Sequence, residues 1–401
     1  MLSMSAGEAV TCRLVVEEES LNASLDAAGA PGATRFLHLY APGRIGAVAL
    51  RNRAIVSPMT RASATPEGLA TPKMVDYYAE YARNGWGLVY TEAVYIDQAY
   101  SQGYLNQPGI ASDAQRDAWQ PVAEACHRLG TPIFMQLFHA GAVNQGNRWV
   151  EGSIAPSAVR PKGEQIARYA GSGLFQVPRE ITRDEMKQVV AGFVAAARRA
   201  VAAGFDGIEV HGANGYLPDQ FLTTYTNLRT DEYGGPVANR VRFHTEIMRA
   251  VRDALPAQVP VGVRISQTKV NDLEYSWPGG VADAAVVFPA LQRAGVDFIH
   301  VSAHLGCHPV FDSGLSLAGL AKKFTGLTVI ANGKLQDPGF AEEVLAKGEC
   351  DFCAIAKGAL ADPAWPAKVR AGETPIPFDP GMTNPLATLD NTAAWRKRQA
   401  A

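Results

Sequence analysis

The sequence has few cysteines and no cluster of them. Its five, Cys12, Cys126, Cys307, Cys350 and Cys353, are scattered and odd in number, which speaks against a disulfide framework and for free thiols in a reducing compartment. No apolar run reaches the roughly 18 residues that a membrane-spanning helix needs. The formal net charge is only −2, so no basic field recommends nucleic acid or an anionic membrane as a partner. Residues 1–34 have neither the Arg-rich, acid-poor make-up of a mitochondrial presequence nor the basic start and apolar block of a secretory signal. They carry Glu8, Glu17, Glu18, Glu19 and Asp26 against Arg13, and read as a poorly ordered extension or as an arm packed on a neighbour or across the bottom of the fold. A cytoplasmic protein is the expectation. No G-x-G-x-x-G turn follows the first candidate strand, which counts against a doubly wound dinucleotide-binding sheet.

What is present is alternation. The chain has 401 residues, 47% of them hydrophobic and 19% charged, ample for one large core. Short apolar, β-branched runs recur near 54–57, 87–93, 132–138, 207–211, 260–265, 297–302, 327–332 and 351–356. Amphipathic patterns lie between them, near 73–84, 114–129, 183–203, 238–254, 282–294, 337–347 and 359–370. The pattern from 183 is the clearest: Thr182 is positioned to cap it, Glu185 completes a capping box, and Gly204 stands past its end. Strands apolar on both faces and separated by helices predict an α/β protein, a single parallel (β/α)₈ barrel over residues 35–375 with a tail at 376–401. The Gly- and Pro-rich stretch 139–180, after the third strand, is too long for a plain connection and predicts a functional loop or small hairpin over the site.

In such barrels the chemistry gathers at the carboxyl ends of the strands. The fourth strand ends in "EVHGANGYLPDQFL", which sets His211, Asn214 and Tyr216 within six residues. His211 and Asn214 each offer a side-chain N–H, a pair suited to a carbonyl oxygen that gains negative charge during reaction. The Tyr216 phenol holds a proton at neutral pH that it can give to a carbanion-like atom. That trio makes sense where hydride is delivered to an activated alkene, and no side chain delivers hydride, so a cofactor is implied. Other strand ends are fitted to a flavin. Gln136 can pair with the imide edge of the ring, and Arg264 can set positive charge near its N1 and O2. "ANGK" at 331–334 and "AKGALADP" at 356–363, with Gly333, Lys334 and Lys357, offer glycine amides and a cation for a phosphate. Each residue alone has a plainer reading as a strand-end amide, an ion-pair partner or a structural histidine. Their coincidence on successive strand ends is harder to explain that way.

"SPMTRASATPEG", "YYAEYARNGWGLVYTEA", "FMQLFHAG" and "HGANGYLPDQFLTTYTNLRTDEYGGPVANRVRF" resemble the Old Yellow Enzyme family of FMN-dependent ene-reductases over roughly residues 36–372. The resemblance implies FMN as cofactor, NADPH or NADH as hydride donor, an enone or enal as small-molecule substrate, ping-pong kinetics, and a monomer or homodimer. It implies flavin contacts from Pro58, Met59 and Thr60 after the first strand, from Ala93 against the ring, and from Gln136, Arg264, Gly333, Lys334 and Lys357. His211 and Asn214 match the carbonyl-binding pair and Tyr216 the proton donor. Three features depart from the family: Ala356-Lys357 replaces the usual Gly-Arg, "HAGA" at 139–142 lacks the usual arginine, and no tyrosine follows Tyr275. An aromatic lid from the C-terminal part then has to be Trp365, Phe378 or Trp395. Two other readings stand beside the ene-reductase: an FMN dehydrogenase or desaturase running the chemistry in reverse, and a metal-dependent hydrolase built on His300, His304 and His308. Cys350 and Cys353 form a C-x-x-C within the eighth strand, where alternate facing opposes a metal or iron–sulfur role.

Overall fold

The computed structural model describes residues 35–306 and 308–400. The expectation for residues 1–34, and Cys12 and Cys307, lie outside these.

The chain enters through a short hairpin, β1 (Gly43–Ile45) and β2 (Val48–Leu50), and continues into β3 (Ala54–Val56), α1 (Pro72–Arg83), β4 (Leu88–Tyr95), α2 (Asp113–Arg128) and β5 (Ile133–Phe138). Within the long loop that follows, β6 (Ile154–Ala155) pairs with β7 (Arg179–Glu180). Next come α3 (Arg183–Ala202), β8 (Gly207–His211), α4 (Leu217–Leu222), α5 (Val237–Arg240), α6 (Arg242–Ala254), β9 (Val261–Ile265), α7 (Val281–Arg293) and β10 (Phe298–Ser302). The chain closes with α8 (Leu317–Thr325), β11 (Thr328–Asn332), α9 (Pro338–Ala346), β12 (Phe352–Ile355), α10 (Lys357–Ala361), α11 (Trp365–Ala371) and α12 (Leu389–Ala400). Strands β10-β11-β12-β3-β4-β5-β8-β9 close into one barrel in which every neighbouring pair is parallel. This is the barrel that the eight apolar runs predict.

Local chemistry sets the boundaries. Thr182 accepts from the Glu185 amide and Glu185 reaches back, the expected capping box, and Ser112 with Gln115 makes a second one on α2. The patterns at 238–254 and 359–370 each break in two, the second at Asp362-Pro363, where the proline has no amide to continue α10. One barrel helix, α8, has no counterpart in the sequence reading. It is nine residues long, capped by Ser316 and ended by Gly326 in the left-handed region at φ 67°. Its capping signals were present, but the His- and Gly-rich stretch before it masked so short a period. The final helix α12 lies within 376–401, where the sequence predicts a tail. It packs back on α1 through Lys73–Asp390 and Arg396–Glu80.

The interior of the barrel is filled by complementary sizes. Register sets Phe134 of β5 opposite Gly207 of β8, and Phe298 of β10 opposite Gly262 of β9. A Cβ on Gly262 would lie 2.3 Å from the Phe298 ring, and one on Gly207 2.6 Å from Phe134. Phe134, Phe298 and Phe352 pack with Ile45 and Leu50, so the entry hairpin stoppers the amino end of the barrel. With that end plugged, the opposite rim is left to carry polar groups. Gly262→Ala is expected to lower stability by about 1–3 kcal/mol, the usual cost of overpacking, measured by denaturant unfolding. An unchanged midpoint would contradict this packing.

Candidate active site at the carboxyl ends of the strands

A cleft of about 220 Å³ opens at the carboxyl ends of the strands. Pro58, Met59, Thr60, Ala93, Gln136, His211, Asn214, Tyr216, Arg264 and Lys357 all line it. Gly333 and Lys334 do not. Gly333, at φ +133°, packs so tightly that a Cβ would lie 2.3 Å from the Ala303 carbonyl oxygen. A larger cavity of about 470 Å³ lies at the other end of the barrel, bounded by Arg51, Asn52, Gly130 and Arg370, away from the strand ends where barrel chemistry sits.

The floor of the cleft rests on a carboxylate that sequence reading missed. Glu209, on β8, is fully buried. Its Oε1 accepts from Gln136 Nε2 at 2.6 Å and its Oε2 from His300 Nδ1 at 2.8 Å. Burial works against its charge, but His300 and Arg264 outweigh that and hold its carboxyl below the usual range. His300 is itself pushed down by burial, which agrees with a neutral imidazole donating from Nδ1. The signal was available: residues two apart in a strand share a face, so Glu209 had to point where His211 points. His300 is thus committed inside the barrel, apart from the exposed loop that holds His304 and His308. Among the described residues no group of three or more His, Cys, Asp or Glu side chains gathers to hold a metal.

Arg264 stands opposite His211 in the ladder between β8 and β9. It is buried, donates to Ser302 Oγ at 3.2 Å and Asn332 Oδ1 at 3.4 Å, and leaves its Nε unpartnered. Burial pushes its pKa down while Glu209 opposes the shift. The guanidinium therefore keeps donor capacity for an acceptor placed in the cleft.

The turn after β8 is held from below. Asn214 adopts φ 62°, a left-handed conformation that asparagine tolerates, with its amide donating to Ser266 Oγ at 2.8 Å. The Gly215 amide donates to Asp219 Oδ2 at 2.6 Å, and Lys269 donates to both Asp219 oxygens at 2.6 and 2.7 Å. That ion pair is fully buried, with side chains 1% and 0% exposed. The Val270 amide donates to the Asn214 carbonyl at 3.1 Å, so Lys269 ties the loop after β9 to the turn that carries the polar trio. A lone lysine in "SQTKVND" gave no sign of this partnership.

His211 accepts from the Ala213 amide at Nδ1, at 3.4 Å, which leaves Nε2 to carry the proton. Burial, with the nearby Arg264 charge, drives its pKa well below the usual value, so the ring is a neutral donor. The Tyr216 ring packs edge-on against Phe138 and His211, with centroids 4.4 and 4.8 Å away. Its hydroxyl is paired with that of Tyr104, a loop residue for which no local pattern gave warning. Burial, the largest influence, pushes the Tyr216 phenol well above its ordinary pKa.

Glu92 fixes the turn that carries Thr60. Its Oε2 accepts from the Arg61 and Ala62 amides at 2.8 and 3.0 Å, while burial pushes its carboxyl up to about 7. Gln107 Nε2 donates to the Ala93 carbonyl, holding that small residue against the cleft. Two segments roof the cleft. From the long loop come Arg168 and Tyr169, the latter with its ring centroid 4.6 Å from Tyr104. From the C-terminal segment come Phe378, Thr383 and Ala387. Of the three aromatic lid candidates only Phe378 lines the cleft, with Lys357 Nζ 5.4 Å from its ring centroid. Trp365 is buried in a stack on Trp86. Arg61 binds the Thr388 carbonyl at 2.7 Å and so joins the C-terminal segment to the first strand end.

The model for the NADH:flavin oxidoreductase / NADH oxidase family matches residues 38–374. The chain is 35% identical over 350 residues to an NADH oxidase of Thermoanaerobacter brockii, covering 84% of this chain and 52% of that protein. It is 41% identical over 231 residues to a probable flavin mononucleotide-dependent alkene reductase of Leishmania infantum, covering 56% of this chain and 62% of that one. The chain thus spans about half to three-fifths of the length of these curated relatives. Among solved structures it resembles morphinone reductase in complex with tetrahydroNAD, with a TM-score of 0.75, 32% identity, and coverage of 85% of this chain and 93% of that one. On the match over residues 38–374, the chain belongs to the NADH:flavin oxidoreductase / NADH oxidase family.

Proposed function

We propose that this chain is an FMN-dependent oxidoreductase that reduces the activated C=C bond of α,β-unsaturated carbonyl compounds with NAD(P)H. The observation that carries the reading is one cleft lined both by Gln136 and Arg264 and by His211, Asn214 and Tyr216. The residues fit FMN. The unpartnered Arg264 Nε and the remaining amide capacity of Gln136 suit the pyrimidine edge, Ala93 leaves room for a planar ring, and the Lys357 ammonium suits a phosphate. Lys357 in place of the family's arginine is a point charge without a bidentate fork, but it stands in the same lining. Bound FMN supplies what no side chain can, a carrier that takes hydride from NAD(P)H and passes it to the β-carbon of the alkene.

The chain's own groups do the rest. His211 Nε2–H and the Asn214 carboxamide hold the carbonyl oxygen and stabilise the negative charge it gains. The Tyr216 hydroxyl gives its proton to the α-carbon, and its pairing with Tyr104 offers a route for that proton to be replaced. The roof of Tyr169 and Phe378 limits water. The nicotinamide donor and the enone would use the same cleft in turn, a ping-pong order. The same carbonyl grip and phenol are used whichever way hydride moves, and no feature of the cleft favours the dehydrogenase reading over this one.

The test is an absorption spectrum of the purified protein, followed by anaerobic NADPH and then 2-cyclohexenone. Flavin bands that bleach and then recover are expected. Bleaching without recovery, or no flavin after added FMN, would contradict the proposal. Tyr216→Phe is expected to slow the enone step by about 10²–10⁴-fold and to leave reduction by NADPH nearly intact; equal losses in both steps would sink its assignment. Because the Tyr216 pKa is raised and the His211 pKa lowered, phenol and imidazole both stay neutral in between. The enone step should therefore show no titration from either between about pH 6 and about pH 9; an inflection near the ordinary histidine value that persists in Glu92→Gln, which removes the carboxyl raised to about 7, would contradict a neutral His211. Lys269→Met leaves Asp219 buried without its partner and is expected to cost about 3–5 kcal/mol, read by denaturant unfolding.

A further inference from the structure

We propose that the molecule reduced in this cleft carries an anionic group, a carboxylate set apart from its reacting carbonyl, and that Arg168 holds it. The inference rests on the ene-reductase reading above and narrows its substrate class. The cleft is lined by four cationic side chains, Arg61, Arg168, Arg264 and Lys357, and by no aspartate or glutamate. Three of the four have uses. Arg61 ties down the C-terminal segment, Arg264 suits the flavin's pyrimidine edge, and Lys357 its phosphate. Arg168 is left over.

Its situation differs from that of its neighbours in the long loop. Arg148 pairs with Glu67, Lys162 with Asp272, Arg179 with Glu185, and Arg160 donates to the Phe175 carbonyl. Among the described residues the Arg168 guanidinium makes no hydrogen bond and no ion pair; it lies 5.4 Å from the centroid of the Tyr169 ring. Its backbone, in contrast, is fixed. The Arg168 carbonyl accepts from the Ala387 amide at 2.8 Å, which joins the two halves of the roof. Gln145 donates to the Ile166 carbonyl at 2.9 Å and accepts from the Ile166 amide at 3.0 Å, clamping the short turn that presents Arg168. The turn is pinned on its other side by Tyr169 against Tyr104, the hydroxyl partner of Tyr216. A cation held on a rigid turn at the mouth, without a counter-ion, makes a positive field that favours an anionic ligand, and a guanidinium matches a carboxylate or phosphate in both charge and shape.

Two anionic groups can reach this place: a carboxylate on the enone, or a phosphate of the nicotinamide donor. Both would be held by the same chemistry, and separate half-reactions distinguish them. The oxidative half-reaction is followed with a 2-cyclohexenone bearing a propanoate side chain and with its methyl ester, in the wild-type chain and in Arg168→Gln. The wild type is expected to prefer the carboxylate over the ester by up to about fivefold in kcat/KM, the scale of a solvent-accessible ion pair. That preference should shrink as salt is added and vanish in Arg168→Gln, while Arg168→Lys keeps part of it. Reduction by NADPH and by NADH is compared in the same proteins. If the substitution instead abolishes a preference for NADPH and leaves the carboxylate-to-ester ratio unchanged, the anion is the donor's phosphate and the substrate proposal falls. An ester reduced as well as the acid by the wild type would overturn the proposal while leaving the ene-reductase reading intact. If neither compound reoxidises the reduced flavin, the ene-reductase reading itself has failed.

Discussion

A negative charge at the centre of the barrel is the constraint on which this site depends. Glu209 lies wholly out of water, and an ion moved from water into a protein interior costs several kcal/mol unless partners repay it. Here the partners are the Gln136 amide, the His300 imidazole and the Arg264 guanidinium. The debt runs both ways, because Arg264 is buried too. Once Glu209 is present, Gln136 is orientated with one amide hydrogen turned inward and its remaining capacity turned to the cleft. His300 is held neutral, and a guanidinium can stand beneath the cleft without a direct counter-ion. The groups proposed to hold a flavin edge are thus set from within the barrel, independently of what binds above them.

The second layer is the turn that follows β8. Three consecutive residues with special demands, Asn214 in the left-handed region, Gly215 at φ 88° and Tyr216 starting a helix, have no regular secondary structure to hold them. The buried pair Asp219–Lys269 and the hydroxyl of Ser266 supply that support. The polar trio therefore sits on loop backbone clamped by charge, while Gln136, Glu209 and Arg264 sit on strands. The roof is a third and looser layer, made by the long loop and the returning C-terminal segment, where the positions that shape the pocket are Arg168, Tyr169 and Phe378.

What the sequence made legible follows the same layering. The eight strands were visible because both faces are buried and their runs are apolar, and strand ends in a barrel identify rim residues directly. His211, Asn214 and Tyr216 were found because they are adjacent in the chain. Glu209 was overlooked although strand alternation placed it on the face of His211. Lys269 and Tyr104 could not be found from local pattern, since each acts through a partner far away in sequence, Asp219 and Tyr216 respectively, and Arg168 gave no signal because its place at the cleft depends on the backbone bond to the distant Ala387. Gly333 and Lys334, which the resemblance puts in the phosphate-binding segment, are not among the residues that line the cleft. Helix α8 was lost because nine residues give barely two turns of period.

The most direct measurement is a crystal structure of the protein loaded with FMN. The expected result is flavin density in the cleft, its pyrimidine edge against Gln136 and Arg264, its phosphate at Lys357, and its open face toward His211, Asn214 and Tyr216. Flavin density at the opposite end of the barrel, in the cavity bounded by Arg51 and Arg370, or an edge turned away from Arg264, would contradict the assignment.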